Sequence, residues 1–199
     1  YKIFHNNKNV CNIICSNNGP ALGYAAFPSA TVCGSTTHCI WLLTKSMPFL
    51  KSDITGLPSQ GVYAGGGTLP HEIGHWIGLY HTFQNLSCNV YRGGERSLDT
   101  PIHSSPDYGS FLDSNGEAYP KESTSIPDTC TSDTGRNPVY NYMNYSEDDS
   151  LLYFTDDQYY IMLGTVYLWM RTLWPNYENL DTEKYPLLSW NVDTNTKTK

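Results

Sequence analysis

The chain has 199 residues, of which 39% are hydrophobic, 14% aromatic and only 16% charged; this excludes a disordered polypeptide and suits one domain with a substantial core. The net charge of −7, with no clustered Lys or Arg stripe, argues against a nucleic-acid partner. No apolar run approaches the ~20 residues needed to span a bilayer, and the richest, residues 166–174, is short and contains Arg171.

The chain opens at Tyr1 with neither an initiator Met nor an apolar leader, and is read as a mature fragment whose signal peptide and any pro-segment are missing. Residues 10–15 and 22–27 are short apolar runs separated by the turn signal Asn17-Asn18-Gly19-Pro20; both are predicted strands, and residues 38–44 a third. A loop rich in Gly, Pro and Ser follows at 56–67, then a predicted helix from Thr68 that Gly78 ends. From residue 84 to 142 no long apolar periodicity appears, and a stretch of that length needs a function or a cross-link to explain it. Thr155-Asp156-Asp157-Gln158 is a capping box. The helix it opens is predicted to run to about Trp174, where Pro175 stops it, with Ile161, Leu168 and Trp169 on its buried face. Residues 191–199 form a polar tail.

Six cysteines without a CxxC pair point to disulfides in an oxidising compartment; the sequon Asn85-Leu86-Ser87 agrees. Six buried thiols in a cytosolic protein are the bland alternative. In one strand Cys11 and Cys15 would lie ~13 Å apart, beyond the ~7 Å a disulfide spans. They are therefore expected to pair with Cys33 and Cys39, in an order left open.

The word from 71 to 81 carries chemistry: His71-Glu72-Ile73-Gly74-His75-Trp76-Ile77-Gly78-Leu79-Tyr80-His81. On a helix, His71 and His75 share a face. Gly78 lets the chain turn sharply and return His81 as a third nitrogen ligand. Three protein ligands leave a fourth position open, the catalytic form of a zinc site and not the closed structural one. Glu72 sits beside the ion without binding it, placed as a general base. Such a pattern arises by chance in roughly one sequence in 10⁵ of this composition. His5, His38 and His103 lack that context and are read as structural or surface residues.

The pattern resembles the metzincin clan of zinc peptidases, which place a Met-containing turn beneath the metal; Met143 in Asn141-Tyr142-Met143-Asn144-Tyr145-Ser146 matches it. Flanking words resemble the pappalysin family in particular: residues 75–84, Leu22-Gly23-Tyr24-Ala25-Ala26-Phe27-Pro28, Asp99-Thr100-Pro101 and Asp128-Thr129-Cys130, spread over residues 10–175. The resemblance implies an α+β metzincin-like fold, a twisted mixed sheet with the active-site helix above an irregular, disulfide-stapled lower part and a C-terminal helix. Residues 1–175 would form a single catalytic domain, divided at 81/82 into upper and lower subdomains, with 176–199 a tail.

By the same resemblance the chain is a secreted zinc endopeptidase acting on protein or peptide substrates. Tyr145 would stabilise the tetrahedral intermediate, and Asp148 would floor a pocket that selects Arg or Lys after the cut bond. Cys88 and Cys130 would pair. The substrate would add to an edge strand expected within residues 38–44. Calcium is a further implied ion, with Glu95, Asp99, Asp113 and Glu117 as oxygen donors but no complete loop pattern; a solvated acidic surface is the plain alternative. Three departures stand out. Pro70 shortens the active-site helix, leaving Gly65-Gly66-Gly67 before it expected to be mobile. Ser150 replaces a family Cys whose partner is also absent, so residues 105–125 should be less tethered. The competing reading is a catalytically inactive zinc-binding adhesion or toxin module.

Overall fold

The computed structural model describes residues 10–29, 32–33, 35, 37–48, 61–89 and 97–170. The three apolar runs become β1 (Asn12–Ser16), β2 (Gly23–Ala25) and β3 (Cys39–Leu43). They form one sheet in the order β1-β3-β2, with β1 parallel and β2 antiparallel to β3. The central strand reads Cys-Ile-Trp-Leu-Leu with four of five residues buried, whereas β1 alternates half-buried and exposed positions. A continuous apolar run belongs in the middle of a sheet, covered on both faces and both edges.

That placement corrects an expectation: the run at 38–44 is not an edge. The edge beside the helix is β2, which the turn word alone could not reveal, because β1 and β2 flank β3 without touching each other.

Against the sheet lies α1 (Thr68–Trp76), and α2 (Asp156–Trp169) closes the same core. Ile40, Leu42, Trp76 and Met170 are buried together, with Leu69, Ile73, Ile77 and Val166 packed round them. Each such side chain contributes roughly 1.5–3 kcal/mol on leaving water. The α2 capping box forms as its letters predict, Thr155 Oγ1 accepting from Gln158 N at 3.3 Å and Gln158 Oε1 from Thr155 N at 2.9 Å. Its inward row is Leu163, Val166 and Met170; of the predicted buried face Ile161 is half-buried, but Leu168 and Trp169 remain 40% and 45% exposed. Residues beyond 170, including Pro175 and the tail, lie outside the described residues. Among the described residues no helix is long and apolar enough to cross a membrane.

Residues 97–155 contain only two isolated β-bridges among the described residues. A second core of Phe111, Ile126, Val139 and Tyr140 sits within them. Around it, buried side chains hydrogen-bond the irregular backbone. Ser150 Oγ accepts from Phe111 N at 2.8 Å, and Tyr140 Oη donates to the Phe111 and Tyr119 carbonyls at 2.9 Å each. The segment after residue 105 is thus tied down at the very position where Ser150 stands. Cys88 and Cys130 form a disulfide across 42 residues of sequence, a loop whose closure lowers unfolded-chain entropy by about 4 kcal/mol at room temperature.

The other four cysteines are free thiols, against expectation. Cys15 stands opposite Leu42, three residues from Cys39, which puts it ~10 Å from that partner, and its sulfur instead lies 3.6 Å from Met47 Sδ. Burial pushes the Cys11 thiol up to about 11 and raises Cys33 and Cys39 as well. Cys11 and Cys33 serve the first core as small apolar groups.

Candidate active site

Helix α1 has no acidic residue in its first turn and no side-chain cap. Asp148, eighty residues on, supplies both: its Oδ2 accepts from Gly66 N at 2.9 Å and Gly67 N at 3.1 Å. A carboxylate at a helix N-terminus satisfies orphan amides and meets the positive end of the dipole. The expected mobile triple glycine is therefore pinned. Pro70 sits in the first turn, where a missing N–H costs little. At the other end Gly78 has φ +100°, Gly78 N donates to His75 O at 3.0 Å, and Leu79 N to Gly74 O at 2.8 Å. This is a Schellman ending, and it throws the chain back over the helix so that His81 faces His71 and His75.

The three imidazoles gather as the spacing predicts. Their candidate ligand atoms all lie within 4.8 Å of one another, and His75 Nε2 is 3.0 Å from His81 Nε2. His71 Nδ1 donates to the Tyr142 carbonyl at 2.6 Å and His75 Nδ1 to the Leu79 carbonyl at 2.7 Å. Those bonds leave each Nε2 lone pair turned inward, the arrangement metal-binding histidines use. Burial, and for His71 and His81 the neighbouring imidazoles, keep all three rings neutral; His71 and His81 are lowered to about 3. Neutral convergent nitrogens are the ligand form, so the residues fit a metal ion.

Glu72 lies beside them, 5% exposed, and its Oε2 has no hydrogen-bond partner. Burial pushes its carboxyl up to about 8. A buried orphan carboxylate is costly alone, whereas an adjacent cation favours the ionised form; this is a second sign that the cluster is built around an ion. The backbone comes very close here: a Cβ at Gly23 would stand 2.7 Å from Glu72 Cγ, so β2 runs directly over the carboxylate.

Met143 is fully buried, and a Cβ at Gly74 would overlap its sulfur, so the turn presses against α1 from below. Two residues later Tyr145 Oη lies 3.1 Å from His81 Nε2. Burial raises its hydroxyl pKa. Both the histidines and Tyr145 line a cleft of ≈ 670 Å³, whose other walls include Gly23, Ala25, Tyr63, Tyr108 and Asp148. Desolvation raises the Asp148 carboxyl, and the Gly67, Gly65 and Gly66 amides offset part of that.

The calcium donors do not gather. Asp99 accepts from Asp157 N at the start of α2, and Asp113 closes its own turn by accepting from Glu117 N; Glu95 lies outside the described residues. Among the described residues the metal-competent group is His71, His75 and His81. His38, read as structural, stacks on Trp76 at 4.5 Å; His5 lies outside the described residues. His103, also read as structural, is fully buried; sequence reasoning missed Asp107, and gave no separate part to Thr82 and Asn144, which are buried with it. Their place in the family-like words beside His81 and Met143 was the signal available for Thr82 and Asn144.

Residues 63–167 match the peptidase family M43, described as pregnancy-associated plasma protein-A. An extracellular metalloprotease of Colletotrichum graminicola is 37% identical over 142 residues, covering 70% of this chain and 43% of that protein. One of Aspergillus fumigatus is 34% identical over 143 residues, covering 69% and 38%. Among solved structures, Tannerella forsythia mature mirolysin in complex with a cleaved peptide superposes with a TM-score of 0.62 at 26% identity, over 88% of this chain and 60% of that one. The chain thus spans under half the length of these curated relatives.

Proposed function

This chain belongs to the M43 peptidase family and has an α+β metzincin-type fold, and from that premise we propose that it is an extracellular zinc endopeptidase that cuts extended polypeptides. The observation that carries the reading is the pairing of three neutral, convergent histidines with a buried, unpartnered Glu72 at the foot of an open cleft. The curated relatives are named extracellular metalloproteases, and the solved relative holds a cleaved peptide.

His71, His75 and His81 would hold zinc, which supplies a Lewis acid and a water whose pKa is lowered towards ~7. Glu72 accepts the proton as water attacks the scissile carbonyl, then hands it to the leaving amine. Its dry setting keeps it basic enough for the first task and acidic enough for the second. Tyr145 Oη donates to the carbonyl oxygen as that oxygen gains charge.

The substrate strand would lie along β2. Leu22 O accepts from Leu43 N and Ala26 N donates to Cys39 O. In an antiparallel ladder alternate residues face alternate sides, so the main-chain groups of Gly23 and Ala25 face the cleft, free for strand addition. Asp148 in the same cleft would favour Arg or Lys on the leaving-group side, because a desolvated carboxylate left without a cation penalises apolar residues. Its Oδ2 is already filled by two amides, so a guanidinium fork meets mainly Oδ1, and the advantage of Arg over Lys is small.

An inactive zinc-binding module would have no use for a buried general base or for a phenol at hydrogen-bond distance from a ligand nitrogen. Cleavage of denatured casein with and without a chelator, on the wild type and Glu72→Ala, decides the matter. The variant should lose about 10²–10⁴-fold in turnover while keeping its zinc by metal analysis. Turnover surviving in zinc-loaded Glu72→Ala would overturn the mechanism.

A further inference from the structure

Behind Tyr145, away from the cleft, lies a buried carboxylate that the chemistry above does not use. Asp107 is 5% exposed and His103 is fully buried. Asp107 Oδ1 accepts from Asn137 Nδ2 at 2.9 Å and Oδ2 from Asn144 Nδ2 at 2.8 Å. His103 Nδ1 faces the same Oδ2 at 3.3 Å, close but not aligned as a full hydrogen bond. His103 Nε2 lies 2.7 Å from Thr82 Oγ1, in the residue after the third histidine of the cluster. On the far side, Asn144 Oδ1 accepts from Asp107 N at 3.1 Å and from Tyr145 N at 2.8 Å.

The chemistry of these groups gives the network a direction. An ionised carboxylate only accepts, whereas a primary amide accepts at one end and donates at the other. Facing Asp107, the Asn144 side chain must present its NH₂ group to the carboxylate and its oxygen to Tyr145 N. Reversed, it would set NH₂ against two backbone N–H groups and oxygen against an anion. His103 Nδ1 faces the same carboxylate oxygen, and with its proton there Nε2 would accept from the Thr82 hydroxyl. Asp107 Oδ2, the Pro138 carbonyl at 3.3 Å from Asn144 Nδ2 and the two backbone N–H groups on Asn144 Oδ1 thus agree on one orientation of the amide, and the carboxylate is the charged member of that set. Asparagine at 107 would fill the same space without that charge.

We propose that Asp107, with His103 packed against it, is a positioning residue that holds Tyr145 at its place over His81 by fixing the orientation of the Asn144 amide. The inference rests on the peptidase reading and on Tyr145 acting in it. A shift of about 1 Å in a group that touches the reacting carbonyl costs up to ~100-fold in rate. A purely structural carboxylate would instead lower stability and leave turnover per folded molecule alone.

The test is a double-mutant cycle on the zinc-loaded protein, with kcat and KM read separately on a quenched-fluorescence peptide and folding followed by circular dichroism. Asp107→Asn should lower kcat by about tenfold or more with KM within about twofold. In a Tyr145→Phe background the same change should cost less than about twofold, since the phenol it positions is gone. Asn144→Ala, which removes the relaying amide, should reproduce both results and carries the test if Asp107→Asn does not fold. Wild-type kcat in either folded variant, or losses that multiply in the Tyr145→Phe background, would overturn the proposal. Full turnover in Tyr145→Phe alone would overturn it too while leaving the Glu72 mechanism standing; turnover in Glu72→Ala would strike the peptidase reading instead.

Discussion

Two regions of this molecule meet at the cleft, and they are held together by different forces. The sheet with α1 and the end of α2 is packed on Ile40, Leu42, Trp76 and Met170, with ordinary apolar burial. The stretch from 97 to 155 has almost no regular structure and buries Asn141, Asn144, Ser146, Ser150, His103 and Asp107. Apolar packing is undirected and tolerates repacking. A buried polar network is directional, and each member left without a partner costs its full desolvation. The first region carries two of the histidines and Glu72 on a helix; the second places Met143, Tyr145 and Asp148 without one.

The largest effect that can sharpen this contrast is at the join. His81, delivered by the Schellman turn, should be indispensable: His81→Ala is expected to lose at least about a hundredfold in metal affinity and with it measurable casein cleavage. A variant that keeps stoichiometric zinc after dialysis, with full activity, would remove His81 from the ligand set.

Next come paired substitutions, one from each region. Leu42→Ala should cost about 2–5 kcal/mol of stability and leave kcat unchanged. Asn141 donates to Gln158 Oε1 at 2.8 Å and accepts from Met143 N at 2.9 Å. Asn141→Ala strands Met143 N, while Gln158 Oε1 keeps its bond from Thr155 N, and should cost about 1–3 kcal/mol together with a fall in kcat. Chemical denaturation and steady-state kinetics on the same preparations separate the two signatures; equal kinetic behaviour would erase the contrast.

Metal removal should reveal the charges built into the site. In the metal-free protein the imidazoles of His71 and His81 are lowered from 6.5 to about 3. Below pH 6.5 the unfolded chain binds protons that the folded one refuses, so stability falls as pH drops from 6.5 towards 3. Glu72 is raised from 4.5 to about 8, so the folded form keeps a proton the unfolded form releases, and stability falls as pH rises from 4.5 to 8. The three lowered histidines outweigh Glu72 below 6.5, and of these four groups the glutamate's decline is what remains above it. Thermal unfolding of the chelated protein should therefore peak near pH 6.5. A melting temperature still rising between pH 7 and 8 would contradict the burial of Glu72.

The smallest effect is in selectivity. Mass spectrometry of a digested peptide library should show cuts before Arg and Lys, with Arg favoured by less than about tenfold because one oxygen of Asp148 is committed to the helix. Asp148→Ala should flatten the preference and, by releasing residues 65–67, also raise KM. An unchanged preference in that variant would assign selectivity to another wall of the cleft.

Local signals were legible wherever the physics is local. The i, i+4 spacing of His71 and His75, the Gly78 ending, the Thr155 capping box and the three strand runs all follow from neighbours a few residues apart. The sequence could not say that β3 is central, because strand order depends on which edges meet in space. Nor could it show that Cys15 faces Met47 and not a second thiol. The buried face of α2 was misjudged at Leu168 and Trp169 because a helix apolar on most sides contains no preferred direction until a partner selects one.

What the sequence determined by itself is the core of the proposed chemistry: three convergent histidines, Glu72 beside them and the turn that brings them together, all within eleven residues whose spacing is set by helix geometry. Tertiary structure alone decided how that chemistry is supported. Asp148 caps α1 across some eighty residues, Gly23 gives β2 room to pass over Glu72, and Asp107 reaches Tyr145 through Asn144. Such contacts join residues far apart in the chain, and side-chain hydrogen bonds in irregular backbone leave no periodicity by which a sequence could announce them.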